Sequence, residues 1–85
     1  MKVENLTNNG NKVPNQFRII DENAVYFQSY DKIIVKIEGN STWLDINYWN
    51  YSNTTSKHRN QFLGETTKET QKKIDSGLYK LVNLN

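Results

Sequence analysis

Apolar and polar residues alternate most clearly over Lys32–Glu38, where Ile33, Val35 and Ile37 are separated by Ile34 and Lys36. A period of two suits a strand, because successive side chains point to opposite faces of a sheet. The same alternation predicts strands over 16–20, 24–30 and 42–49. Phe17 and Ile19 share a face in the first; Val25 and Phe27 share one in the second, with Tyr26 opposite. In the third, Leu44, Ile46 and Tyr48 face one way and Trp43, Asp45, Asn47 and Trp49 the other. Between these runs lie Asp21-Glu22-Asn23, Asp31 and Gly39-Asn40-Ser41, all turn residues, with Gly and Asn tolerating positive φ. Connections this short predict an antiparallel meander.

After Tyr51 the alternation stops. Ser52-Asn53-Thr54-Thr55-Ser56 is rich in helix-capping residues. A helix over 55–63 puts Thr55, His58, Arg59 and Phe62 on one side, and Gly64 suits its end. Thr66 and Glu69 have the spacing of a capping box for a second helix. There Leu63, Thr67, Thr70 and Ile74 form a thin stripe, and Gly77 closes the element. Residues 78–84 read as a last strand able to pair with the meander. Residues 1–15 show no periodicity, and Pro14 biases Val13 to an extended conformation, so this segment reads as a flexible arm. The expected fold class is α+β: a small antiparallel meander of about four strands, two short helices and a C-terminal strand, as one domain over 16–85. Its core is expected from Phe27, Ile33, Val35, Ile37, Leu44, Ile46, Phe62, Ile74 and Leu81, with Tyr26, Ile34, Trp43 and Trp49 on the opposite sheet face.

Length and composition narrow the function classes. A chain of 85 residues has room for one domain with a thin core. With no cysteine, no disulfide or thiolate metal site can reinforce it, which fits a reducing compartment such as the cytoplasm. The longest aliphatic run is Ile33-Ile34-Val35, so no membrane span is expected, and the N-terminus lacks the apolar stretch of a signal peptide. The net charge of +2 does not by itself indicate nucleic acid. The charge is uneven, however: residues 57–85 hold six basic side chains (Lys57, Arg59, Lys68, Lys72, Lys73, Lys80) and three acidic ones.

Catalytic equipment is sparse. The single histidine, His58, has no carboxylate near it in sequence, no serine sits in a nucleophile elbow, and the four glycines are isolated. The acidic residues are too scattered for a metal site. The expectation is a non-enzyme without cofactor or metal. Two surfaces remain as binding candidates. One is basic: Thr54, Thr55, Lys57, His58 and Arg59 at a helix start, where free N–H groups and the helix dipole attract anions, together with Lys68, Lys72 and Lys73 on the second helix. Its bland counterpart is ordinary capping by Thr54 or Thr55, with Lys57 and Arg59 solvated and His58 packed beside Phe62. The other is the sheet face carrying Tyr26, Trp43 and Trp49, suited to a protein interface or to stacking single-stranded bases. Its bland counterpart is a face covered by the N-terminal arm or a helix, or a Trp49 that folds into the following loop.

Several strings resemble a known family: Asn15-Gln16-Phe17, Phe27-Gln28-Ser29-Tyr30, the stretch from Tyr51 to His58, Phe62-Leu63-Gly64, and the stretch from Lys73 to Leu81. Together they resemble short proteins of unknown function encoded by bacteriophages and mobile elements of Gram-positive bacteria, over roughly residues 13–84. The resemblance brings no catalytic or ligand residues. It implies a small accessory protein in the host cytoplasm that inhibits or modulates a host protein or protein–nucleic-acid complex, an anti-CRISPR or other anti-defence inhibitor being one such role. The alternative is a nucleic-acid-binding accessory protein using the basic C-terminal helices. The oligomeric state is left open, a homodimer included.

Overall fold

The computed structural model describes residues 1–85. The chain runs through β1 (Lys2–Asn8), β2 (Asn11–Ile20), β3 (Ala24–Ser29), β4 (Lys32–Glu38), β5 (Ser41–Asp45), α1 (Asn53–Leu63), α2 (Thr67–Asp75) and β6 (Tyr79–Val82). The six strands form one sheet in chain order. The first five make an antiparallel meander, and β6 lies parallel to β5 because both helices intervene. The α+β class therefore holds, with six strands rather than about five.

The extra strand comes from residues 1–15, which were expected as an arm. Lys2–Asn8 pairs instead with Asn11–Ile20 through the two-residue turn Asn9-Gly10. Both turn residues have positive φ, 52° and 82°. A turn of that kind matches the natural twist of paired strands, and Asn-Gly is its preferred sequence. The flanking residues are mostly polar, which hides the strand period. One of them, Leu6, is nonetheless buried and joins the core.

A β-bulge rearranges β4. Phe27 pairs with Val35 and Gln28 with Ile33, so Ile34 is an extra residue opposite no partner. A bulge of this kind brings two successive side chains to one face. Ile34 and Val35 are both fully buried, while Ile33, paired with Gln28, is only half-buried. The expected roles of Ile33 and Ile34 are thus exchanged. The core is Leu6, Phe27, Ile34, Val35 and Leu44, with Ile37, Phe62, Leu63, Ile74 and Leu81 packed around it. Phe62 of α1 stacks on Phe27, ring centres 5.6 Å apart. Burying each such side chain contributes about 1.5–3 kcal/mol before entropy is charged.

The strand expected over 42–49 stops at Asp45. One Asp45 carboxylate oxygen accepts the Asn47 and Tyr48 N–H groups, both at 3.0 Å, and bends the chain into a turn. Ile46 is consequently 53% exposed and is not a core residue. The other oxygen accepts the Leu84 N–H at 2.7 Å and the Asn85 side chain at 3.1 Å. The Asn85 amide in turn brackets the backbone of Ile33, accepting its N–H at 2.8 Å and donating to its C=O at 2.9 Å. A side chain thus continues the ladder where β5 has turned away. Asp45→Ala is expected to lose about 2–4 kcal/mol of unfolding free energy, because several backbone donors lose their acceptor at once. Asp31→Ala, at an exposed turn, should stay within about 0.5 kcal/mol. Urea denaturation of both variants checks this.

Candidate functional site

The basic helix start is mostly an internal fastening. Ser52, rather than Thr54 or Thr55, caps α1, its hydroxyl accepting the Thr55 N–H at 3.1 Å. Thr55 is fully buried and shares a hydrogen bond of 2.8 Å with Ser29 of β3. His58 is 8% exposed, its Nδ1 donating to the Thr54 carbonyl at 2.9 Å. Thr54 itself is exposed, as is Lys57.

Arg59 is fully buried, the largest side chain with no exposure. Its guanidinium donates to the Trp49 carbonyl, and at 2.9 Å to both Asn60 Oδ1 and Thr67 Oγ1. Longer contacts of 3.4 Å reach Asn50 Oδ1 and Ser56 Oγ. The cation lies over the Trp49 ring, 5.0 Å from its centre. One group therefore joins the turn after β5, the middle of α1 and the first residue of α2. Burial pushes its pKa down from the ordinary value, and Glu65 opposes that shift. Trp49 consequently belongs to this fastening and not to the sheet face where it was expected, because the strand ends four residues earlier.

Glu65 was not singled out from the sequence. Its side chain is 4% exposed and lies 2.6 Å from Lys73 Nζ. Tyr79 donates to the same carboxyl at 2.7 Å and Thr70 at 3.1 Å. Lys73, though 40% exposed, is thereby held in an ion pair, and of the basic residues expected on the two helices only Lys57, Lys68 and Lys72 are exposed with no ion pair. The nearest sequence signal for Glu65 is its position just before the capping box of Thr66 and Glu69, which forms with both reciprocal bonds.

The second candidate surface lies on the sheet face away from the helices. Register aligns Val3, Ile19, Tyr26, Lys36, Trp43 and Lys80 in one row across all six strands. The next row outward holds Phe17 and Ile33. The inner row beside it, Glu4, Arg18, Phe27, Val35, Leu44 and Leu81, faces the helices. Tyr26 and Trp43 are half-buried by their neighbours; Lys36 lies over the Trp43 ring at 5.2 Å and pairs with Glu38 at 3.5 Å. The row ends at a cleft of about 90 Å³ lined by Asn40, Ser41, Thr42, Trp43, Leu78 and Lys80. Ile19, Phe17, Ile33 and Lys36 on this face were not singled out as site residues, although their alternation with core positions marks three of them.

No group of three or more His, Asp or Glu residues is placed to hold a metal ion, and no helix is long and apolar enough to cross a membrane. The class so defined is a small α+β domain with one helix-covered and one open sheet face. The chain belongs to a family of unknown function (DUF8033), whose model matches residues 1–77. No curated protein and no solved structure matches it.

Arg59→Lys should destabilise the fold by about 2–3 kcal/mol, because an ammonium cannot reproduce the planar fork that reaches three chain segments. Lys57→Ala, Lys68→Ala and Lys72→Ala should each stay within about 0.5 kcal/mol in the same urea titration. The Glu65 cluster makes stability fall in alkali. Burial, reinforced by the bond to Glu65, raises the Tyr79 pKa above its ordinary 10.0. The bond to Glu65 raises Lys73 above its ordinary 10.5. Both contributions are complete below those ordinary values and are lost as pH rises through the raised ones. The urea midpoint should hold level to about pH 9.5 and decline above about pH 10. Tyr79→Phe should delay the decline; a midpoint level to about pH 11 would contradict the assignment.

Proposed function

We propose that this is a non-catalytic binding protein that grips a protein partner on its open sheet face. The carrying observation is the row of Val3, Ile19, Tyr26, Lys36, Trp43 and Lys80 on the face that the helices leave uncovered. Tyr26 and Trp43 in this row are of the residue types that dominate binding hot spots. Lys80 beside the Trp43 cleft, and Lys36 on the Trp43 ring, favour a partner that offers an apolar anchor flanked by carboxylates. The buried Arg59 and Glu65 are engaged in holding the helices, and His58 bonds a carbonyl of its own helix, which supports a role other than catalysis.

The nucleic-acid alternative retains Lys57, Lys68 and Lys72 but loses Arg59, His58 and Lys73 to internal contacts. On the open face Lys36 is shared with Glu38. The wider setting, a phage or mobile-element protein that inhibits or modulates a host complex in the cytoplasm, rests on the family resemblance of its sequence strings and is part of this proposal.

Affinity capture from host lysate supplies the candidate partner, and titration calorimetry with the purified partner makes the decision. Trp43→Ala and Tyr26→Ala should each weaken binding by at least about tenfold, while Lys68→Ala and Lys72→Ala leave it unchanged. Unaltered binding by Trp43→Ala would refute the assignment. So would tight oligonucleotide binding that falls steeply with salt and whose salt slope flattens when Lys57, Lys68 and Lys72 are replaced.

A further inference from the structure

We infer that β1 is the dimerisation edge of this protein, pairing antiparallel with β1 of a second copy about a two-fold axis at Val3. The sheet has two open edges, β1 and β6, and they differ. β6 is four residues long; β1 is seven, with no proline and no glycine. Natural edge strands are blunted by shortness, charged side chains, bulges, proline or covering groups, since their unpaired N–H and C=O groups otherwise recruit another strand. On β1 the bulge and the covering group sit at one end only, and the charges at the other end are one of each sign. Gln61 of α1 donates to the Thr7 carbonyl at 2.7 Å, and the register shifts between Asn5 and Thr7. The half from Lys2 to Asn5 is uncovered.

The occupant is identified by charge. Lys2 and Glu4 flank Val3 and lie on the same face of the strand. In an antiparallel pair centred on Val3, each Lys2 stands opposite the other copy's Glu4, and each Glu4 opposite the other copy's Lys2. Both cross-strand pairs are then of opposite sign, which favours that register. Within one chain these residues meet only loosely, at 3.6 Å and with side chains 70% and 42% exposed. Val3, on the opposite face, is 56% exposed although it belongs to the apolar row of the open sheet. A two-fold there sets Val3 against its own copy. The row then continues from Trp43, Tyr26 and Ile19 of one protomer into those of the other. A self-complementary edge is the isologous contact that closed dimers use. The inference stands independently of what the open face binds.

Sedimentation velocity across a wide concentration range tests it, with reversed charges as the probe. The wild-type chain should pass from monomer to dimer as concentration rises. Lys2→Glu and Glu4→Lys should each weaken the dimer by at least about tenfold, because each places like charges opposite one another twice. The double exchange Lys2→Glu/Glu4→Lys restores both pairs and should return to within about threefold of wild type. Amide exchange reports the same surface without substitution. Protection over Lys2–Asn5 should rise with concentration, and that over Tyr79–Val82 should not. A chain that stays monomeric to millimolar concentration overturns the inference. So do single reversals without effect, a double exchange no tighter than the singles, or protection that rises at Tyr79–Val82 instead.

Discussion

A guanidinium taken out of water has to be met by acceptors, and the fold is arranged around meeting the one on Arg59. Its partners are the Trp49 carbonyl in the turn after β5, the Asn60 amide beside it on α1 and the Thr67 hydroxyl at the start of α2. Removing any one of them leaves a buried charge short of a partner, so the three segments are held together or not at all. This couples the turn that ends β5 to the position of both helices. The apolar contribution alone is modest, since only Leu6, Ala24, Phe27, Ile34, Val35 and Leu44 are buried among hydrophobic residues, against seven polar or charged ones.

The same division shows at each joint. Thr55 meets Ser29 where α1 crosses β3, and Glu65 collects Thr70, Lys73 and Tyr79 where α2 meets β6. Asp45 and Asn85 close the corner behind β5. Directional bonds place the helices more narrowly than apolar contact alone would, because a hydrogen bond weakens steeply with misalignment. They also demand complete satisfaction. Gln16, fully buried on β2 with neither side-chain nitrogen nor oxygen bonded to another protein group, and the unpaired Nε of Arg59 are the places where that demand is not met within the chain.

What the sequence made legible was periodicity. The Lys32–Glu38 strand, the second helix's capping box, and the inward side of α1 with Thr55, His58 and Arg59 all appear where spacing put them. Illegible were the features in which one local group overrides the period. The bulge at Ile34 exchanges two isoleucines of equal hydrophobicity, so no pattern could choose between them. Asp45 ends a strand whose alternation continues for four more residues, through bonds to Asn47 and Tyr48 that alternation does not register. The β1–β2 hairpin lacks alternation, yet Asn9-Gly10 was a readable turn signal. At the basic site, residue type was read correctly and exposure was not. An arginine in a helical stripe with His58 and Phe62 lies on the side facing the sheet, and that stripe was itself evidence for burial.

This distribution bears on why the outer face is apolar at all. A chain with 35% hydrophobic residues and a thin core gains stability by moving Ile19, Tyr26, Ile33 and Trp43 inward. It does not do so; polar groups occupy interior places instead. Strand geometry explains part of this, since Tyr26 is bound to the outer face once Phe27 is inside. It does not explain the choice of tyrosine and tryptophan at Tyr26 and Trp43, where the pleat imposes direction but not residue type. Nor does it explain a second apolar position, Ile19, in the same row. Strand propensity favours aromatic and β-branched residues there, but threonine would meet it with less apolar surface. An aligned row of half-buried aromatic and aliphatic side chains on the face away from the helices is the kind of patch that marks interfaces, and the proposed partner contact rests on it.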